Sequence, residues 1–420
     1  MTAEPRPDDQ DRGLPALLPE RSCRVDRLRL FRFRNYADET VELGPGLNVL
    51  SGSNAQGKTN LLEAVATLAL SRSPRAATLG ELVSWGEPLC RVEGRVQRPE
   101  GPTVIDVRIG RGGGGRERGT RTVTVDGSAL PARRLLGICP VVLFWPDDLQ
   151  LVKGGPEGRR RLLDMVLSQI DPHAADALLR YRRALEQRNA LLRQLRAGAS
   201  SGGELPQFTA ELVRHGGEVR AHRARLVGDL QPLAAAALHE LSDGGENLGL
   251  RYATDRDDEG GVLDDGAGGG TAAENPLDAV AASEVLAATL RRRGAEELAR
   301  GVTVAGPHRD DVEILLGGRP ARGTASQGQQ RSAVLACKLA EVRHLAGVAG
   351  VAPVLLLDDV LSELDADRRS RLLAGLGAGR GSQALLTTTE AQTPELAGLG
   401  DLRHFRVSAG RIESEPQERS

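Results

Sequence analysis

Residues Gly52–Thr59 read GSNAQGKT, which fits the pattern G-x-x-x-x-G-K-[ST] without a gap. The flanks suit the match. Leu47–Leu50 (LNVL) reads as a short buried strand, and Asn60–Leu70 (NLLEAVATLAL) carries apolar residues at helical spacing. Strand, glycine loop and helix make a cradle for phosphate. Gly52, Ser53, Asn54, Ala55, Gln56 and Gly57 turn backbone N–H groups toward phosphate oxygens, beside the positive end of the helix. Lys58 is then the cation that reaches the β- and γ-phosphates, and Thr59 offers its hydroxyl to Mg²⁺. ATP with Mg²⁺ is the ligand this pattern predicts.

Upstream of the loop, Arg24–Phe33 alternates charged and apolar residues as a strand does, and Glu39–Leu43 resumes the pattern after Asn35–Tyr36. Downstream, Cys90–Arg98, Thr103–Ile109 and Arg121–Val125 read as an antiparallel sheet, with a hairpin turn at Asp126–Gly127. Val141–Phe144 is a short core strand. From Pro156 the pattern turns helical: Glu157–Ile170, Pro172–Arg196 and Phe208–Leu241, the last broken at Gly216–Gly217 and Pro232, then Ser283–Arg300. Alternating strands and helices return after Val302, with the fully apolar strand Val354–Leu357 and later strands at Ala384–Thr387 and Leu402–Val407.

The division expected is an N-terminal extension (1–22), the first part of an α/β unit (23–155), a helical insertion (156–300) with an acidic, glycine-rich loop at 255–272, the second α/β part (301–413) and a short tail (414–420). At 420 residues the chain can hold several domains around a large core. Its 55 basic and 57 acidic residues nearly cancel, so contact with a polyanion needs a local basic face. Aromatics at 2% argue against recognition by base stacking. Cys23, Cys90, Cys139 and Cys337 have no metal-ligand spacing and fit reduced, buried thiols of a cytoplasmic protein. No run is long and apolar enough for a membrane helix.

Three later pieces bear on the nucleotide. The strand VLLLDD ends in Asp358, suited to hold Mg²⁺ if its strand lies beside the loop strand, and in Asp359, placed to act as general base on water. Ser326–Gln327–Gly328–Gln329 opens a helix and could meet a phosphate, or could simply cap that helix. Ser362–Asp365 (SELD) follows the acidic strand. In this order the pieces resemble the ABC-type ATPase head of the structural-maintenance-of-chromosomes group, an α/β fold with a P-loop core, an antiparallel β subdomain and, here, an inserted α-helical subdomain. There SQGQQ stands for the signature and SELD, with Ser362 and Asp365, for the D-loop. The composite site implied puts each ATP between the phosphate loop of one protomer and the signature of its partner.

FRNY (Phe33–Tyr36), SGSNAQGKTNLLEA, the run Phe144–Asp164, GPHRDD (Gly306–Asp311), SQGQQR and LLLDDVLSELD narrow the resemblance to the RecF family. It implies an ATP-dependent homodimer that binds double-stranded and gapped DNA, a weak DNA-stimulated ATPase, action with RecO and RecR in loading RecA, and a part in SOS induction. The transporter-type switch histidine has no counterpart, Thr387–Thr389 standing in its place; Gln150 is the positional candidate for the Q-loop glutamine. An ABC transporter subunit and a clamp that binds ATP without useful turnover are the rival readings. Arg159, Arg160 and Arg161, with Arg180, Arg182 and Arg183 nearby, form one candidate DNA face, and Arg27–Arg34 another. For His308 and Arg309 a structural role in their turn is the favoured reading.

Overall fold

The computed structural model describes residues 19, 21–112, 119–242, 247–254, 278–363, 366–375, 381–389 and 401–415. Two six-stranded sheets enclose one buried helix. In the first sheet, β1 (Arg24–Phe33) pairs antiparallel with β2 (Tyr36–Glu42) and with β4 (Leu89–Arg98), and the sheet continues through β5 (Gly101–Gly110), β6 (Thr120–Val125) and β7 (Ser128–Ala129). The β6–β7 turn has Asp126 at φ 49° and Gly127 at φ 79°, the left-handed pair a two-residue hairpin needs.

The second sheet has the order β15–β14–β3–β13–β12–β8, from β3 (Leu47–Ser51), β8 (Val141–Phe144), β12 (Val354–Asp358), β13 (Ala384–Thr388), β14 (Leu402–Ser408) and β15 (Arg411–Glu415). All neighbours are parallel except β14 and β15. Its inner strands β3, β8, β12 and β13 are largely apolar and buried because both faces are covered there, whereas β14 and β15 at the edge carry polar, exposed residues. Alternate residues serve two cores. Leu355, Leu357 and Leu386 point to one, and Val354, Leu356 and Leu385 to the other.

α1 (Lys58–Leu70) fills the second core between the two sheets, which explains why nearly all of it beyond its first turn is buried. The first core holds α2 (Gln150–Lys153), α3 (Pro156–Ile170), the C-terminal half of α5 (Leu205–Leu241), α9 (Gln327–Ala349) and α10 (Ala366–Gly375). A small sheet β11–β10–β9, from β9 (Leu248–Ala253), β10 (Asp311–Leu316) and β11 (Arg319–Pro320), adjoins it, followed by the short α8 (Ala321–Thr324). A third core joins α4 (Pro172–Arg196), the N-terminal half of α5, α6 (Ala279–Arg292) and Ala305; α7 (Gly294–Arg300) follows α6. Asp171 accepts a hydrogen bond from the His173 N–H at 2.8 Å, capping α4 with Pro172 at its first turn.

Several expectations change. The helix expected to break at Gly216–Gly217 and Pro232 is one unbroken 37-residue helix. A Cβ on Gly217 would lie 2.0 Å from Ser283 Oγ, so the glycine serves close approach of α6 rather than a bend. Ser283–Arg300 is two helices, and β9 had no clear alternating pattern to announce it. After β12 the chain forms a 3₁₀ turn (Val360–Glu363), and α10 follows. The chain is already tied at Arg21, whose carbonyl accepts from the Ala352 N–H at 2.8 Å. The acidic loop, the centre of the glycine loop before β6 and Asp365 lie outside the described residues, and of Ser362 only the backbone is described.

Candidate nucleotide site

The Gly52–Thr59 loop runs from the end of β3 into α1. Gly52 (φ 147°) and Gly57 (φ 121°) adopt backbone shapes that side chains resist, and each is crowded: a Cβ on Gly52 would come within 2.3 Å of the Val407 carbonyl. Ala55 is left-handed at φ 64°. Ser53, Asn54 and Ala55 face solvent, so the concave side of the loop is open. Lys58 Nζ donates to the Gly52 carbonyl at 2.5 Å and to the Ser53 carbonyl at 2.9 Å, folded over the cradle. Burial pulls its pKa down, while the charges of Asp359 and Asp358 push it back up.

The loop rests on the antiparallel lobe. Asn35 Nδ2 donates to the Gln56 carbonyl at 2.9 Å, and Tyr36 donates to the Gly57 carbonyl at 2.9 Å. From the other side Ala409 and Gly410 donate backbone N–H groups to Gln56 Oε1 (2.7 Å) and its carbonyl (3.1 Å). Deeper in α1, Glu63 is fully buried and paired through both oxygens with Arg34, at 2.8 and 2.9 Å. Ser73 also donates to Glu63, closing the segment that leaves α1. FRNY was legible as a motif, but its task of bracing the loop from another sheet was not.

Asp358 was expected on a strand next to β3. The sheet places β13 between them. Contact is made nevertheless, because Thr59 Oγ1 donates to Asp358 Oδ1 at 2.8 Å. Thr387, on the intervening strand, donates to the same oxygen at 2.8 Å and accepts from the Asp359 N–H at 2.9 Å. Thr387, in the stretch standing where a transporter has its switch histidine, therefore fixes the Asp358 carboxylate and the Asp359 backbone. Burial raises the Asp358 pKa, opposed by the Thr387 and Thr59 hydrogen bonds and by the charge of Arg75. Arg75 also lies over the Trp145 ring at 5.7 Å, a site neighbour with no pattern to flag it. Asp359 is half-buried with φ 52°, a strained setting for a residue at the proposed chemistry. Hydroxyl and carboxylate oxygens side by side are the hard donor set that Mg²⁺ takes. Among the described residues no cluster of three or more His, Cys, Asp or Glu side chains is arranged to hold a metal, so such an ion would lean on substrate phosphates.

Ser326 caps α9: it accepts from the Gln329 N–H at 3.2 Å, and the Gln329 side chain accepts from the Ser326 N–H at 2.8 Å. Ser326 and Gln327 are exposed, Gly328 and Gln329 half-buried. α9 belongs to one core and α1 to the other, on opposite faces of the parallel sheet. Within one chain the signature turn and the phosphate loop are thus separate. Gln150 is exposed at the start of α2.

The candidate DNA face needs correcting. Arg159 is buried and bound through two nitrogens to Asp311 (2.7 and 2.8 Å), with further bonds to the carbonyls of Leu151 and Gly154. It is a structural residue. Arg160 is half-buried, donating to the Asp310 carbonyl at 2.7 Å, and only Arg161 faces solvent. His308 accepts from the Tyr181 hydroxyl (2.6 Å) and donates Nε2–H to the Thr303 carbonyl (3.1 Å), an assignment fixed by its partners, so its role is structural. No helix among the described residues is long and apolar enough to cross a membrane.

Comparison with known proteins agrees with this architecture. The model of the RecF/RecN/SMC N-terminal domain matches residues 24–407. A "DNA replication and repair protein RecF" of Symbiobacterium thermophilum is 41% identical over 92% of this chain and 97% of its own length. Its counterpart in Chloroflexus aurantiacus is 40% identical over 92% and 99%. Among solved structures, "the recombination mediator protein RecF-ATPrS in RecFOR pathway" superposes with a TM-score of 0.81 at 30% identity, covering 95% of this chain and all of that one. An Smc head from Pyrococcus furiosus, at TM-score 0.51 and 17% identity, shares the fold alone. Matched along nearly its whole length by one family model and by RecF proteins at this identity, the chain belongs to the RecF family.

Proposed function

We propose that this chain is an ATP-switched, duplex-DNA-binding protein of DNA replication and recombinational repair. One observation carries the reading: Thr59 meets Asp358 at 2.8 Å beneath an open phosphate loop, while the capped, exposed Ser326–Gln329 turn lies on the other face of the sheet. A second copy, arranged head to tail, supplies the signature that the first copy cannot bring to its own loop. ATP then sits between Lys58 of one protomer and the helix N-terminus at Ser326 of its partner. Loss of the γ-phosphate removes the shared anion and weakens the dimer, a population shift driven by differential contacts.

Within the site, Lys58 moves from the loop carbonyls to the β- and γ-phosphates. Asp359 takes a proton from the attacking water, held in place by the Thr387 contact to its backbone. Thr59 and Asp358 are the residues that would hold Mg²⁺, which would supply positive charge to offset that of the phosphates. The turnover this supports is a slow, DNA-stimulated ATPase that acts as a switch. The relatives' place in the RecFOR pathway supports RecO and RecR as partners, gapped DNA as target and RecA loading as outcome, in the cytoplasm.

Sedimentation with ATP, ADP or no nucleotide, with and without a duplex, tests the reading. Dimers with ATP, monomers with ADP, and monomers throughout for Lys58→Met are expected. Single chains at saturating ATP and Mg²⁺ that still hold the duplex at full affinity would refute it.

A further inference from the structure

A cavity of about 640 Å³ opens where the segment leaving α1 meets α3 and α4. Arg72, Arg121, Arg160, Arg161, Arg182 and Arg223 line it, against two carboxylates among the described residues, Glu157 and Asp164. Asp164 is already committed to Arg223 (2.8 Å) and Arg182 (3.0 Å). Arg121 spends a nitrogen on the Ser71 carbonyl, Arg160 on the Asp310 carbonyl. Arg72 and Arg161 have no ion-pair or hydrogen-bond partner among the described residues. Burial lowers the Arg72 pKa, and the charges of Arg182 and Arg161 lower it further.

Elsewhere this protein pairs its enclosed guanidiniums closely: Arg188 with Glu297, Arg220 with Asp310, Arg159 with Asp311. Half-buried Arg72 and, at the rim, exposed Arg161 stand among further guanidiniums without a carboxylate of their own, a crowding of like charge that an anion would relieve. Planar forks converging on a cleft are suited to phosphate oxygens in particular.

We propose that this cleft is a phosphate-binding site, with Arg72 and Arg161 as its principal ligands. Its phosphate comes either from a nucleic-acid backbone or from a soluble polyanion. Where the backbone is the source, the cleft deepens the function proposed above by locating part of the DNA contact, and to that extent rests on it.

The test uses the full chain with a non-hydrolysable ATP analogue and Mg²⁺ saturating the phosphate loop, so that added anions cannot report on that loop and the chain is in its proposed duplex-binding state. Wild type, Arg72→Gln/Arg161→Gln and a charge-matched control, Arg214→Gln/Arg225→Gln on α5, are compared for stabilisation by inorganic pyrophosphate and for duplex affinity across a salt series. A backbone source predicts that the double variant binds duplex about ten-fold more weakly. Its slope of log affinity against log salt falls by about two. A soluble source predicts unchanged duplex binding but loss of the pyrophosphate shift; either result supports the site. Should wild type ignore duplex altogether, the functional proposal fails while the pyrophosphate arm still judges the cleft. Unchanged behaviour in both arms, with native circular dichroism, overturns the proposal. Arg161→Glu, at an exposed position, serves if the double variant fails to fold.

Discussion

Glu63 lies one turn beyond Thr59 on α1 with no access to solvent, and its charge is met by Arg34 from the turn between β1 and β2. A carboxylate so placed cannot do without its partner. Arg34→Met should lower stability by about 3–5 kcal/mol, because the residual Ser73 bond does not neutralise a buried charge; urea denaturation reads the change. If Arg34→Met unfolds at the wild-type urea concentration, the pair is not what ties α1 to the antiparallel lobe. His308 offers a different test. Burial depresses its pKa from 6.5 to about 4, so the folded state keeps it neutral while the unfolded chain protonates it. Its contribution is therefore complete above pH 6.5 and lost as pH falls from there toward 4. That window is worth up to about 3 kcal/mol. The slope of stability against pH between 6.5 and 4.5 should flatten in His308→Gln; an unchanged slope assigns the acid sensitivity to other groups.

Among the elements, α5 shows how one residue type reads differently by neighbour. Gly217 faces Ser283 at a distance no Cβ could tolerate, whereas a Cβ on Gly228 of the same helix would meet nothing within 4 Å. Alanine gains about 1 kcal/mol of helix propensity over glycine at either position. At Gly228 that gain stands alone, so Gly228→Ala should raise the melting temperature. At Gly217 overpacking costs about 1–3 kcal/mol and outweighs it, so Gly217→Ala should lower it. Equal shifts for the two variants would mean that α6 is not seated on that stretch of α5. The same element-scale logic governs β12: an all-apolar strand tells that both faces are covered, yet says nothing of which strand lies beside it.

For the molecule as a whole, the turn Gly306–Asp311 is one place where α3 and α5, helices of the expected insertion, are tied down. Asp310 receives Arg220 of α5 at 2.9 and 2.7 Å and the Tyr252 hydroxyl of β9 at 2.7 Å. Arg223 of α5 donates to the Pro307 carbonyl at 2.6 Å, and Asp311 receives Arg159 of α3. Asp310→Ala leaves Arg220 charged and enclosed, which should cost about 3–5 kcal/mol and loosen the insertion before the sheets. Amide exchange across α4 and α5 should accelerate ahead of exchange in β3 and β12. Uniform acceleration, or none, would remove this turn from its fastening role.

What could be read directly from the chain was whatever neighbouring residues settle among themselves: the glycine loop, the period of most strands, the hairpin turn at Asp126–Gly127. These depend on backbone sterics and on bonds spanning a few residues, so local letters suffice. The phosphate loop and the acidic end of β12 were each legible for that reason, while the fold class and their pairing came from the family resemblance. The insertion of β13 between β3 and β12, the duty of Thr387, the burial of Arg159 and the unbroken course of α5 were decided by partners far away in sequence. Thr59 and Asp358 are 299 residues apart and Arg159 and Asp311 are 152. An arginine in a string looks the same whether it meets water or a carboxylate, and only packing, which sets the neighbour and the access to solvent, tells the two apart.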